Sequence, residues 1–355
     1  MGSNYIGAKL QESVQYSDYS DVAFELYRRE GFPVFSLNHD EKQAELRKLI
    51  RYDHASIISE KGVIKQTMHG LALAWNYHPH AWAVRCADMR TSLETYLDDA
   101  EFRSAINKRI RFAGKISDNG IRKQLRIHTG TQAVSNFRPT AAAAIYHKLL
   151  PEEGGVVWDP SMGWGGRMLG SVACSKVRKY IGCDPATETF EGLKEMEADI
   201  KRLLPERQLE TSLHMLGSET KEMRAELPEG GVDLIFSSPP YFDREKYTHE
   251  ATQSWVKYQR ENPKATRDAW LTEFMGDTLD NCHYALKPGG ILAINIADVT
   301  GYPDLSRRFV ESAESHGWRL VDTMKLSLSK IMGAKRKYAG THKYEPIFVF
   351  KKEAQ

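Results

Sequence analysis

With 41% hydrophobic and 27% charged residues, the 355-residue chain has the composition of an ordinary soluble enzyme with enough apolar sequence for a core of normal size, in two lobes. It contains no apolar run of ~18 residues that would cross a membrane, and it begins without a basic-then-apolar leader; Ile6 stands where a myristoylation pattern wants Ser or Thr. The net charge of +2 identifies no partner, and the four scattered cysteines (Cys86, Cys174, Cys183, Cys282) form no C-x-x-C pair, so neither a disulfide framework nor a zinc site is indicated and the cytoplasm is the expected compartment.

Residues 1–130 read as a mainly helical N-terminal lobe, with segments such as Glu41–Arg51 and Ser92–Ile110 and no repeat. His78-Pro79-His80 would suggest a metal only beside a third ligand, and none stands at a compelling spacing, so no metal is expected. Trp75, Tyr77 and Trp82 read as core or interface. Arg103, Lys108, Arg109, Arg111, Lys115, Arg122, Lys123 and Arg126 follow with only Asp118 between them to oppose them. Clusters of this kind suit a polyanion, because each neutralised phosphate releases condensed counterions.

Residues 131–355 alternate between strand and helix. Strand-like runs are Val156–Asp159, Tyr180–Asp184, Leu213–Leu216, Val232–Ser237 and Ile291–Ala297; Glu188–Leu204 and Thr266–Leu286 read as helices between them. Lys287-Pro288-Gly289-Gly290 reads as a helix stop and turn. The alternation implies a parallel sheet with right-handed crossovers. Leu320–Leu328 and Ile347–Lys351 have only a loop between them and read as a terminal antiparallel hairpin.

Three motifs fall at strand ends. After Val156–Asp159 comes Pro160-Ser161-Met162-Gly163-Trp164-Gly165-Gly166-Arg167, a glycine turn running into helical sequence. Its glycines let the backbone approach a ligand, but the spacing is not the G-x-G-x-x-G of a dinucleotide site. Asp184 ends the next strand about 20 residues beyond, where a carboxylate commonly grips a ribose diol. Ser238-Pro239-Pro240-Tyr241 closes the run Val232–Ser237. Two prolines stop that strand, stiffen the backbone and leave carbonyls as free acceptors beside an aromatic ring. Rigid acceptors next to a stacking face suit a planar group that carries an NH2.

In these residues the chain resembles the S-adenosylmethionine-dependent amino-methyltransferases, which methylate N4 of cytosine or N6 of adenine in DNA. Asp159–Gly166 is similar to the family's D-P-F-x-G-x-G-like loop, with Trp164 in a slot that is usually small. Ser238–Tyr241 is similar to its D/N/S-P-P-Y/F tetrapeptide, and Asn136-Phe137-Arg138-Pro139-Thr140 looks like its additional cofactor segment. The resemblance covers residues 130–352 and implies a class I methyltransferase (Rossmann-like) α/β fold: a mostly parallel sheet with a terminal antiparallel hairpin, behind the helical N-terminal lobe. It also implies S-adenosyl-L-methionine as cofactor, held by Arg138, Pro139, Asp159, Gly163, Gly165, Gly166, Asp184 and Ser218, with Ser218 or Glu219 beside the adenine ring. Ser238, Pro239, Pro240 and Tyr241 would carry the chemistry: Ser238 Oγ and the Pro239 carbonyl accept the amine's hydrogens, and Tyr241 stacks on an extruded base. Serine at the head of the tetrapeptide leans toward N4 of cytosine over N6 of adenine.

DNA is the expected partner, ahead of RNA. Contacts are expected from Arg244 and Lys246, in the long polar stretch after Tyr241, and from the basic run Lys335-Arg336-Lys337. Two alternatives stay open: the same chemistry on RNA or a protein glutamine, and a non-catalytic nucleic-acid-binding scaffold in which the Trp164 indole blocks the cofactor. Oligomeric state has no signature in the chain.

Overall fold

The computed structural model describes residues 19–247, 252–328 and 344–352, without the side chain of Trp255. The N-terminal part contributes α1 (Tyr19–Glu30), α2 (His39–Arg51), β1 (Val63–Ile64), α3 (Leu71–Asn76), β2 (Arg85–Cys86), α4 (Ser92–Leu97), α5 (Asp99–Ala113) and α6 (Asp118–Arg126). Then follow α7 (Pro139–Leu149), β3 (Gly155–Asp159), α8 (Gly166–Ala173), β4 (Val177–Cys183), α9 (Thr187–Leu203), β5 (Glu210–His214), α10 (Lys221–Glu226) and β6 (Val232–Ser237). The rest comprises β7 (Glu245–Lys246), α11 (Ser254–Lys257), α12 (Pro263–Ala269), a π-helical turn over Trp270–Met275, α13 (Gly276–Ala285), β8 (Leu286–Asn295), α14 (Leu305–Ser315), β9 (Trp318–Ser327) and β10 (Tyr344–Lys352).

Eight strands form one sheet in the order β1-β9-β10-β8-β6-β3-β4-β5. Strand β10 runs antiparallel to both neighbours, whereas β3, β4, β5, β6 and β8 pair in parallel. This is the class I methyltransferase arrangement, with its hairpin inserted beside β8. Side chains alternate between faces with the period of two of a strand. Val157, Tyr180 and Leu234 join the core on one face; their neighbours Trp158, Ile181 and Ile235 join the core on the other. Both faces are covered by helices, so the centres of these strands are apolar on both sides.

Some boundaries differ from the expectation, each for a local reason. The expected helix Ser92–Ile110 is two helices, because Asp98 is extended and its side chain accepts from Glu101 N to cap the second. The expected run Leu213–Leu216 is the edge strand β5, starting at an exposed Glu210 and half-buried from Thr211 to His214. Lys287–Gly290 is a bulge inside β8, whose pairing with β6 jumps from Val232↔Leu286 to Leu234↔Ile291.

The N-terminal residues are not one independent lobe. Strand β1 extends the sheet by pairing in parallel with β9, and Leu46, Leu49, Ile64, Leu73 and Tyr77 are buried in a core of the sheet. Helices α1, α4, α5 and α6 instead enclose a separate small core that includes Tyr27, Phe102, Ile106 and Leu125. Much of the basic run between Arg103 and Arg126 is used internally. Arg103 pairs with Asp21 and Glu25 of α1. Arg122 donates to the Pro33 and Val34 carbonyls, and Arg126 donates to the Val134 carbonyl at 2.6 Å. Arg111, Lys115 and Lys123 stay exposed.

Candidate active site

At the C-terminal end of β3, Asp159 is fully buried. Its carboxylate accepts from Arg167 Nε (2.8 Å), Tyr180 Oη (2.7 Å) and Ser237 Oγ (2.8 Å). Arg167 also donates to the Ser161 carbonyl. One buried acid at the end of β3 thereby fastens the middle of β4, the end of β6 and the first turn of α8. A buried charge is tolerated when it is paired and hydrogen-bonded in this way.

Above this floor the glycine loop bends over a cavity at the ends of β3, β4 and β6. Gly163 takes φ +53, a left-handed conformation open to glycine, and its N–H donates to Asp184 Oδ2 at 2.9 Å. Ala186 N donates to Asp184 Oδ1 at 3.1 Å, and burial pushes the Asp184 carboxyl up to about 6. The cavity is lined by Gly163, Asp184, Pro185, Ser218, Glu219, Pro240 and Phe274, among others. Ser218 Oγ bonds Thr278 Oγ1 at 2.9 Å. Glu219 binds Lys257 through Oε1 at 2.8 Å, while its buried Oε2 has no hydrogen-bond partner among the described residues. An unmatched carboxylate oxygen beside an apolar wall is an acceptor for an amine-bearing ring.

Gly163, Trp164, Ser238 and Tyr247 also border a second cavity, of about 520 Å³. Around it stand Gln66, Arg138, Arg167, Pro239, Tyr241, Arg244, Glu245, Asn295 and Glu345. Ser238 Oγ donates to Tyr241 Oη at 3.3 Å, and Tyr241 Oη donates to Glu345 Oε2 at 3.4 Å. Both donors point away from Ser238, which leaves the Ser238 oxygen's lone pairs as acceptors. Phe242 holds φ +55, with its ring edge-on to Trp270 and Tyr302. A non-glycine residue in that region is strained by ~1–3 kcal/mol, and here buried packing fixes the turn that presents Tyr241.

The stretch after Tyr241 is tied to the N-terminal part. Strand β7 pairs antiparallel with β2, and Ala87 N donates to the Arg244 carbonyl at 3.0 Å. Lys246 lies 3.6 Å from Asp88, while Arg244 faces the second cavity. Glu245 Oε1 accepts from Ser135 N at 3.3 Å, and burial pushes its carboxyl up. Trp164 is buried against Trp75 (5.8 Å between centroids), His78 (5.4 Å) and Tyr247 (5.9 Å). Its indole is drawn into that aromatic cluster, at the border of both cavities.

The residues singled out in the sequence thus separate into groups. Asp184, Ser218 and Pro240 line the first cavity; Arg138, Pro239, Tyr241 and Arg244 line the second; Gly163 and Ser238 line both. Asp159 works beneath the loop. Pro139 begins α7, and Gly165 and Gly166 are crowded by the protein's own atoms: a Cβ would meet Met196 Cε at 2.6 Å and the Phe137 carbonyl at 1.9 Å, respectively. Arg138 donates to Gln66 Oε1 at 3.1 Å, and burial lowers its guanidinium to about 10. Lys335, Arg336 and Lys337 lie outside the described residues. Glu245 and Glu345 were not anticipated, because each is an unremarkable acid in a polar stretch until the fold brings it to the cavity. Among the described residues no three His, Cys, Asp or Glu side chains are grouped to hold a metal ion, and no helix is long and apolar enough to cross a membrane. All four cysteines are buried free thiols.

Residues 232–355 match the family model N6_N4_Mtase, described as DNA methylase, which supports the resemblance to the DNA amino-methyltransferases. No curated protein sequence matches the chain. Similar solved structures include a SAM-dependent O-methyltransferase from Thermotoga maritima (15% identity, 62% of this chain and 68% of that one, TM-score 0.38). Another is the precorrin-6y C5,15-methyltransferase from Geobacter metallireducens (16%, 60% and 88%, 0.36). A third is TYW2 from M. jannaschii in complex with AdoMet (15%, 61% and 74%, 0.34).

Proposed function

We propose that this protein transfers a methyl group from S-adenosylmethionine to the exocyclic amine of a DNA base, N4 of cytosine ahead of N6 of adenine. The observation that carries the reading is the setting of Ser238: its oxygen is an open acceptor at the junction of two cavities, with the Pro239 backbone beside it. Among the described residues the Pro239 carbonyl receives no hydrogen bond. The family match over residues 232–355 supports DNA as the substrate, and serine at the head of the tetrapeptide supports the lean to cytosine.

The first cavity fits the cofactor. On this reading Asp184 accepts from the ribose hydroxyls, Glu219 Oε2, unpartnered among the described residues, accepts from the adenine amine, and the Gly163 turn lets the chain between them approach closely. Arg138 and the Asn136–Phe137 backbone border the second cavity, on the side suited to the amino-acid end. When bound, the cofactor supplies an electrophilic methyl group on sulfur.

An aromatic amine is a poor nucleophile because its lone pair is delocalised into the ring. Ser238 Oγ and the Pro239 carbonyl, by accepting its two N–H bonds, localise that pair on nitrogen and aim it toward the first cavity. Tyr241 offers a stacking face, worth ~1–3 kcal/mol against the few kcal/mol needed to extrude a base. Arg138 and Arg244 give the rim positive charge toward phosphates. The rest is positioning.

Unmethylated genomic DNA incubated with the protein and labelled S-adenosylmethionine, digested and resolved as nucleosides, should yield labelled N4-methylcytosine. A labelled N6-methyladenine peak would move the target to adenine. Cofactor binding without label in DNA would overturn the DNA reading and leave RNA and protein glutamine as acceptors.

A further inference from the structure

The amine that attacks the methyl group begins with two protons and must end with one. Ser238 alone cannot keep the surplus proton, since a protonated hydroxyl is a strong acid. The tetrapeptide holds no stronger base, and among the described residues no histidine borders the second cavity. What the cavity does contain is an oriented chain of hydroxyls ending on a carboxylate.

Resting on the function proposed above, we infer that Glu345 is the terminal proton acceptor of the reaction, reached through Ser238 and Tyr241. The geometry points one way. Ser238 Oγ–H donates to Tyr241 Oη at 3.3 Å and Tyr241 Oη–H donates to Glu345 Oε2 at 3.4 Å, linking residues 104 positions apart. Both hydrogen bonds are long, as such bonds commonly are before substrate tightens them. As the nitrogen–carbon bond forms, the electrons of the breaking sulfur–carbon bond stay on sulfur. The amine proton passes to Ser238 Oγ, the serine proton to Tyr241 Oη and the tyrosine proton to Glu345. Each hydroxyl ends as it began, and the carboxylate ends as a carboxylic acid that releases its proton to solvent after turnover.

The surroundings of Glu345 suit this task. It stands at the start of β10, where Asn295 Nδ2 holds the next carbonyl, that of Pro346, at 2.9 Å and so fixes the backbone. The charged and titratable groups around it are Tyr241 from the loop after β6, Arg244 before β7, Glu245 on β7, and Arg138 and Arg167 across the cavity. Burial raises its carboxyl, and the nearby Glu245 raises it further; the Tyr241 hydrogen bond and Arg244 oppose this. A carboxylate so raised is a better base than an exposed one. Glu345 acts through two other side chains and is therefore a positioning residue.

Two measurements test it. With labelled DNA product as readout at saturating cofactor, Glu345→Gln should lower kcat by ~10²-fold or more. Cofactor affinity should stay unchanged, the acid limb of the kcat–pH profile should disappear, and Glu345→Asp should restore part of the rate. Independently of turnover, the Glu345 carboxyl of the unliganded full chain can be titrated by carbon-13 NMR. Tyr241→Phe removes a donor to the carboxylate and should shift that titration upward. A Glu345→Gln variant with wild-type kcat and an intact acid limb overturns the relay while leaving the proposed function standing. A Glu345 titration unmoved by Tyr241→Phe overturns it as well. A wild type that methylates no DNA base overturns both readings together.

Discussion

The Gly163 amide donates to Asp184 Oδ2 at 2.9 Å, fastening the glycine loop after β3 to the end of β4, 21 residues further on. The acid is thus held where it faces the first cavity while remaining an acceptor. Its carboxyl sits at about 6 in the folded protein, through burial; the unfolded value is ~3.9. A raised carboxyl favours folding below its unfolded pKa, and that contribution is lost as pH rises through about 6. Ribose hydroxyls need the ionised form as acceptor, so cofactor affinity should weaken as pH falls below about 6. Asp184→Asn should weaken it ~10–100-fold at pH 8 and flatten the pH dependence, measured by calorimetry.

The two loop glycines Gly163 and Gly166 should respond differently to alanine. A Cβ on Gly166 would fall 1.9 Å from the Phe137 carbonyl, whereas one on Gly163 meets nothing within 4 Å but carries φ +53. Gly166→Ala should lower the urea midpoint severely, by several kcal/mol of overpacking and backbone displacement. Gly163→Ala should cost ~1–2 kcal/mol of strain and act mainly on cofactor affinity. Equal midpoints for the two variants would contradict the crowding at Gly166.

Asp159 and Arg167 form a pair in which both side chains are at least 95% buried. Asp159→Ala leaves a guanidinium without its counter-charge and should destabilise the fold by ~3–5 kcal/mol in chemical denaturation. A loss under ~1 kcal/mol would mean that the Ser161 carbonyl and water satisfy Arg167 unaided.

Ser238 offers its oxygen to the cavity and donates its own hydrogen to Tyr241. Ser238→Ala should therefore keep cofactor affinity and thermal midpoint while kcat falls ~10²–10³-fold, the range seen when one preorganised hydrogen-bonding group is removed. Parallel loss of cofactor affinity would place Ser238 in binding rather than in activation of the amine.

Arg244 lines the second cavity, while Lys246 is drawn toward Asp88. Arg244→Ala should lower DNA affinity and reduce the slope of log K against log salt by about 1, read from fluorescence anisotropy over a salt series. Lys246→Ala should move that slope less. The reverse ranking would show that the phosphates run past β7 rather than the cavity rim.

Much of this was legible in the chain. Strand β6 is legible to the residue, because an apolar run ended by two prolines has a sharp boundary. The antiparallel pair β9–β10 followed from the lack of helical sequence between two strand-like runs. Asp184, Gly163 and Ser238 declared themselves because motif residues at strand ends gather on one edge of a parallel sheet. Local pattern thus determined the parallel sheet, its antiparallel hairpin and the edge on which the motif residues gather.

Other features depended on contacts between distant segments. The charges at Arg103, Arg122 and Arg126 look free in sequence, yet α1, the Pro33–Val34 backbone and the Val134 carbonyl, respectively, engage them. Asp159 looked like a cofactor ligand, and the convergence of Arg167, Tyr180 and Ser237 turned it inward. Glu345 lies 104 residues from Tyr241, and the antiparallel insertion of β10 beside β8 carries it to the cavity. Spacing along the chain reports which backbone a side chain rides on; only the folded sheet determines which side chains from remote segments share one buried volume.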